Sequence, residues 1–484
     1  MGYPVSCSQN TTTIFQKGTA TAMSNYYDGL NLKLLDAIPP NARRVLELGC
    51  SNGRLGQRFK EQHSGVQWWG VDVNKDAVNA ASAHLDRVLE LNLDTADLSV
   101  LEGGFDVIVI GDLLEHLSNP VKTLAALYDL ATPDCQIVCC IPNMAHLSVI
   151  ERLVAGDISY DPMGLLDETH TRFFSPSSAF KTFLDGGWLP HLQDQYRVEV
   201  PQTHFASCIF EAALALGLSE NAASRNLGMY QMILVCKKWS MAALLSPGPS
   251  VPISVIVPVN RPWQYDLNIA RSPGLREINA EVIAMEGVDS AAAAYAAGAQ
   301  LATHAWRVLV HQDVYFPTGS GFALARELAL LEQAGCTAVP VGFAGLEASA
   351  SAAGIVRYSG MVIDRTSLFS HPGSKCALSI DEFAVAMHRD SPLSIDPSLG
   401  WHLWGTDLCL QAEALAKQPT AHVLEVPLFH NSTTSYTLPT AYYESAERVL
   451  AKYPQLDRIP TLCGEIARKV ATIPFKFDTS RTRS

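Results

Sequence analysis

The stretch Val45-Leu-Glu-Leu-Gly-Cys-Ser-Asn-Gly-Arg-Leu-Gly56 constrains the fold of this chain more than any other. A short apolar run breaks into Gly49, Gly53 and Gly56 and then continues at helical spacing, which predicts a buried strand, a glycine turn and a helix. Glycines at such a turn let the backbone approach a ligand with no Cβ in between, and the helix behind it offers unpaired N–H groups. A nucleotide-like ligand suits that geometry. Trp68-Trp-Gly-Val-Asp72 reads as a second strand ending in a carboxylate. It lies about 20 residues past the glycines, where an acid accepts hydrogen bonds from ribose hydroxyls. The dinucleotide pattern Gly-x-Gly-x-x-Gly is broken, because Ser51 stands at its second glycine.

These residues resemble the class I methyltransferases, which carry Glu-x-Gly-x-Gly-x-Gly after the first strand and an acid at the end of the second. Glu47, Gly49, Gly53 and Asp72 match, with Ser51 in place of the middle glycine. The resemblance implies S-adenosylmethionine as cofactor, held by Glu47, Gly49, Ser51, Gly53 and Asp72. It also places Asn92 and the Leu93 backbone, at the end of a third strand, beside the adenine. Phe105-Asp-Val-Ile-Val-Ile-Gly-Asp112 is apolar enough for a central strand buried on both faces. With Leu113-Leu-Glu-His-Leu117 it resembles the family's fourth strand, which sets Asp112 against the cofactor and leaves His116 a packing or capping role. Asp167-Glu-Thr-His-Thr-Arg-Phe-Phe174 resembles the Asp-x-Thr-His-x-Arg-Phe-Phe element of a methyltransferase subgroup found near glycan-assembly enzymes. There His170, with Asp167 and Arg172, is placed to take a proton from an acceptor hydroxyl, since imidazole titrates near neutrality. The other reading is that Asp167 and His170 pin the segment against the sheet. Strands alternate with helices to about residue 240, so residues 1–240 are expected to form a doubly wound α/β sheet.

A chain of 484 residues exceeds one core, and 48% hydrophobic with 17% charged residues is a globular composition. A net charge of −13 argues against nucleic acid as a partner, because phosphate binding needs clustered Lys and Arg. The eleven cysteines form no Cys-x-x-Cys and fall mainly in apolar runs, which predicts free thiols and a cytoplasmic location. The polar start of the chain lacks a signal-type apolar core, and no run is long enough for a spanning helix. Contact with a membrane would be peripheral.

Ser246-Pro-Gly-Pro-Ser-Val-Pro252 breaks both helix and strand, which marks residues 241–252 as a linker between two domains. A second α/β unit is expected over residues 253–472, with a loose tail at 473–484. Its strand Arg307-Val-Leu-Val310 runs into His311-Gln312-Asp313, a carboxylate facing a crevice that suits a hard divalent cation and a diphosphate. From Ile253 to Tyr453 the chain resembles GT-A glycosyltransferases of a family-2-like branch, with His-Gln-Asp where relatives carry Asp-x-Asp. The resemblance implies a nucleotide-sugar donor, a glycan or glycolipid acceptor, and manganese or magnesium held by Asp313 and His430. For the carboxylate that deprotonates the acceptor, Asp407 is the first choice and Asp381 and Glu382 are rivals. Asp407 as a helix cap is the plainer alternative. The whole predicts a methyltransferase fused to a glycosyltransferase of polysaccharide or glycoconjugate assembly. The alternative is a methyltransferase whose C-terminal half is a non-catalytic glycan-binding module.

Overall fold

The computed structural model describes residues 30–199, 202–239, 248–347, 355–356, 358–371, 376–416, 421–434, 437–468, 470–473 and 476–477. The N-terminal stretch, part of the predicted linker and the last seven residues lie outside them.

Seven strands build the first sheet: β1 (Arg44–Leu48), β2 (Gln67–Asp72), β3 (Arg87–Glu90), β4 (Phe105–Gly111), β5 (Ala131–Pro142), β6 (Trp188–Arg197) and β7 (Met229–Lys238). Their order is β3-β2-β1-β4-β5-β7-β6. The first five are parallel, and β7 runs antiparallel to both β5 and β6. Helices Arg54–Gln62, Lys75–Ala81 and Pro120–Leu130 make the crossovers. Val45, Leu46 and Leu48 of β1 and Ile108, Val109 and Ile110 of β4 are fully buried. Covered faces on both sides explain why these strands read as apolar runs rather than alternating ones. The strand order reverses between β1 and β4, so their C-terminal ends open on one crevice, the usual ligand position in such sheets.

The second sheet has twelve strands and is mixed. Its start is parallel: β8 (Ile253–Val259) lies between β9 (Glu281–Glu286) and β10 (Trp306–Val310), and Ala384–His388 runs antiparallel beside β10. The short β11 (Val314–Tyr315) pairs antiparallel with Leu428–His430, which lies parallel to Tyr358–Asp364. In those registers His430 stands opposite both Val314 and Asp364. Three residues far apart in sequence thereby meet at one sheet edge.

The described part of the predicted linker, residues 248–252, is coil, yet the halves do more than share a tether. Tyr315, Ile363 and Phe429 belong to the same buried apolar cluster as Phe180, Phe183 and the first sheet, and Phe180 stacks on Phe429 at 5.7 Å between ring centres. Asp185 accepts from Tyr315 Oη at 2.7 Å and from Thr318 N at 3.0 Å. Asn431 Nδ2 donates to Ser177 Oγ, and Leu192 N donates to the Thr366 carbonyl. Within the stretch expected to be a tail, Lys476–Phe477 pairs in parallel with Ile355–Val356.

Candidate functional site

At the end of β1 the chain turns through Gly49 at φ 71°, Ser51 at φ 47° and Gly53 at φ 76°. Gly49 N and Cys50 N both donate to the Val71 carbonyl, folding the turn onto the end of β2. Asp72 then fixes it, because its Oδ2 accepts from Ser51 N at 2.8 Å while Oδ1 accepts from Asn74 N at 2.9 Å. A left-handed conformation costs a non-glycine residue about 1 kcal/mol. The Asp72 contact explains how Ser51, a residue with a side chain, holds that conformation. Each Asp72 oxygen has a second lone pair for a hydroxyl. Glu47 sits beneath the turn, 6% exposed, with Oε2 accepting from Trp68 Nε1 at 2.8 Å. Burial pushes its carboxyl up to about 8. Glu47 therefore joins β1 to β2 and supports the turn from below.

Asn92 is exposed, and its Oδ1 accepts from Asp94 N, which turns the side chain into its own loop. Leu93 packs against the core instead. Across the crevice, Asp112 at φ 48° follows β4, with Oδ1 accepting from Gln231 Nε2 at 2.6 Å. Glu47, Gly49, Ser51, Gly53, Asp72 and Asp112 thus converge on the β1 and β4 ends.

The His170 segment docks beside them through backbone bonds, as Thr171 N and Arg172 N both donate to the Glu115 carbonyl at 2.9 Å. Arg172 Nε donates to the Ser118 carbonyl, and Asp167 Oδ1 accepts from Thr169. The rings of His116 and His170 meet edge to face at 4.9 Å. Burial holds His170 below its ordinary pKa. Glu115 is 1% exposed, and burial, with the Asp112 charge, raises its carboxyl well above the usual range. Sequence reasoning passed over Glu115. The signal was there in Leu-Glu-His, an acid in an otherwise apolar turn.

In the second half, Asp313 and His430 do meet. Asp313 Oδ1 lies 3.5 Å from His430 Nε2, and His430 Nδ1 lies 3.0 Å from Asp364 Oδ1. His311 completes a group whose ligand atoms lie within 4.8 Å of one another. Against the opposing effect of burial, the Asp313 and Asp364 charges push His430 up to about 10. Burial also opposes the shift at Asp313, which His430 nonetheless brings down to about 2. Arg365 pairs with Asp364 in turn. Asp364 was not singled out from the sequence, where only an acid closing a strand would have marked it.

The three carboxylates weighed for proton abstraction separate clearly. Asp381 is partly buried, accepts from Phe383 N at 3.1 Å, and its charge bears on His311. Glu382 accepts from Gly405 N at the start of helix Trp404–Ala416, and burial pushes it up to about 8. Asp407 corrects the first choice. It is fully buried, Oδ1 accepts from Tyr453 Oη at 2.7 Å, and Oδ2 accepts from Gln411 Nε2 at 2.7 Å and Lys452 Nζ at 2.9 Å. With no exposed oxygen it ties its helix to Thr440–Lys452, and it does not cap, because the helix begins at Trp404.

Among the described residues, no helix is long and apolar enough to cross a membrane, and the ten described cysteines are free. Residues 46–137 match a family described as a methyltransferase domain. The ubiquinone biosynthesis O-methyltransferase of Nitrosospira multiformis is 26% identical over 150 residues, 30% of this chain and 61% of that one. Its counterpart in Aromatoleum aromaticum is 29% identical over 117 residues, 22% of this chain and 49% of that one. The chain spans less than two thirds of the length of these curated relatives. A solved SAM-dependent methyltransferase from Archaeoglobus fulgidus is 18% identical, with a TM-score of 0.30, over 46% of this chain and 94% of that one. Residues 46–137 thus carry a methyltransferase domain, of a family whose cofactor is S-adenosylmethionine.

Proposed function

We propose that this protein transfers a methyl group from S-adenosylmethionine to an oxygen acceptor in the crevice between β1 and β4. The observation that carries the reading is the turn from Gly49 to Gly53, held in left-handed backbone by Asp72 at the point where strand order reverses. A Cβ at Gly49 would meet Leu113 Cδ1 at 3.3 Å, so the turn has little room for a side chain. S-adenosylmethionine brings a sulfonium leaving group, and the chain has mainly to align the acceptor with it. Gly49, Ser51 and Gly53 supply the cradle, Asp72 the ribose contact and Asp112 the opposite wall. Calorimetric titration of the full chain with S-adenosylmethionine tests this, with binding expected for the wild type and lost in Gly49→Arg. Equal binding by both proteins rejects the site.

A second reading concerns the other half: glycosyl transfer from a nucleotide-sugar donor on a GT-A-like fold, in polysaccharide or glycoconjugate assembly. The observation that favours it is the meeting of His311, Asp313 and His430 at the end of β10. Once His430 gives up a proton, two imidazoles and a carboxylate would suit a first-row divalent ion, which would neutralise a diphosphate leaving group. Asp381 is then the better placed of the remaining bases. Titration of the full chain with UDP, GDP, dTDP and CMP, with and without manganese, tests the reading. Metal-dependent binding that Asp313→Ala removes supports it. Glycan binding with no nucleotide site turns the half into a presenting module.

A further inference from the structure

We propose that helix Pro176–Asp185 of the first half is a working part of the second crevice, with Ser177 and Asp185 as positioning residues for Asp313 and His430. By packing, the helix belongs to the first sheet: Ser175 and Ser178 form its capping box, and Ala179, Phe180, Phe183 and Leu184 are buried. Residues 177, 180, 181 and 185 fall at i, i+3, i+4 and i+8, one face of a helix. That face crosses the seam. Ser177 Oγ accepts from Asn431 Nδ2 at 2.8 Å, Phe180 stacks on Phe429, and Lys181 Nζ lies 4.9 Å from the centre of the Tyr315 ring. Asp185 accepts from Tyr315 Oη through Oδ2 and from Thr318 N through Oδ1.

The contacted residues are neighbours of the two site residues. Phe429 and Asn431 flank His430, and Tyr315 and Thr318 closely follow Asp313. Asn431 N also donates to the Asp313 carbonyl at 2.9 Å, so Asn431 alone links Ser177 to Asp313. The ladder that brings Asp313 to His430 is short: β11 has two residues, pairing Val314 with His430 and Tyr315 with Phe429. A strand of that length is below the ordinary range and holds its register weakly. Here one rigid helix grips both partners, Tyr315 on one strand and Phe429 with Asn431 on the other. Such outer support fixes side chains that must converge on a ligand. Residues 253–472 by themselves therefore lack the element that sets the Asp313–His430 spacing. That the crevice takes a metal and a nucleotide sugar rests on the glycosyl-transfer reading, whereas the positioning rests on these contacts.

Full-length wild type, Ser177→Ala, Asp185→Ala, Asp185→Asn and His191→Leu supply the test. Manganese alone is titrated into each, followed by the spin-resonance signal of the free ion, and hydrogen exchange is measured over residues 309–318 and 428–434. Asparagine at 185 can offer its carbonyl to Thr318 N and its amide to the Tyr315 oxygen, so it should rescue what alanine loses. His191→Leu cuts the seam elsewhere, where Nδ1 accepts from Leu368 N. In Ser177→Ala and Asp185→Ala, manganese is expected to bind about tenfold more weakly, the scale of a lost outer-shell contact. Exchange should be faster in both segments. Asp185→Asn and His191→Leu should bind the ion as the wild type does. Wild-type manganese affinity in Asp185→Ala overturns the proposal, as does equal weakening by Asp185→Ala and His191→Leu, which would make the effect one of seam stability. A wild type that binds no manganese counts against the glycosyl-transfer reading, and exchange then decides the positioning: unchanged rates in both segments of Asp185→Ala overturn it.

Discussion

Glu47→Gln isolates a single ionisation beneath the cofactor turn. Burial, assisted by the Asp72 charge and opposed by the Trp68 hydrogen bond, raises the Glu47 carboxyl from 4.5 to about 8. The folded protein keeps this proton over a range in which the unfolded chain has lost it. Stability is therefore full below 4.5 and falls as pH rises, with the loss complete above about 8. One pKa unit is worth about 1.4 kcal/mol, so the gap from 4.5 to about 8 bounds the loss at about 5 kcal/mol. Glutamine does not titrate and keeps a carbonyl oxygen for Trp68 Nε1. Urea unfolding followed by tryptophan fluorescence, at pH values between 4.5 and about 8, should show the variant gaining on the wild type as pH rises. A difference between the two midpoints that stays constant across that range refutes the burial argument.

Asp72→Ala removes the acceptor for Ser51 N and Asn74 N, and should weaken S-adenosylmethionine binding by about tenfold or more in calorimetry, the scale of a lost charged hydrogen bond. Asp407→Ala leaves Lys452, whose side chain is 34% exposed, with Asp396 as its other partner, so the cost falls below that of a fully buried pair. It should be about 2–3 kcal/mol, read as a lower unfolding midpoint. Nucleotide binding by the folded fraction should be unchanged; selective loss of binding would restore Asp407 to the acceptor site. Asp185→Ala cuts the bonds to Tyr315 Oη and Thr318 N, and should cost about 2 kcal/mol and split the calorimetric transition of the two halves.

The first sheet was legible because its signals are local. An apolar run, glycines and an acid closing the next strand lie within Val45–Asp72, and the turn between them needs no distant partner to be recognised. Glu115 was not legible, because what makes it notable is its burial and the approach of His170 from the segment at 167–174. Asp364 was hidden in the same way, since only strand register brings it to His430. Asp407 misled for the converse reason. Gly-Thr-Asp looks like an exposed acid at a helix start, while the Lys452 and Tyr453 groups that enclose it come 45 and 46 positions later.

The apolar seam joining Phe180 to Tyr315, Ile363 and Phe429 bears on how this protein can be dissected. A cut in the linker would expose ring surface on both fragments and leave Asp185 without its phenol and amide donors. Each fragment would then present a sticky face that the intact chain conceals. Single-site knockouts in the whole chain are the cleaner way to assign activities to halves.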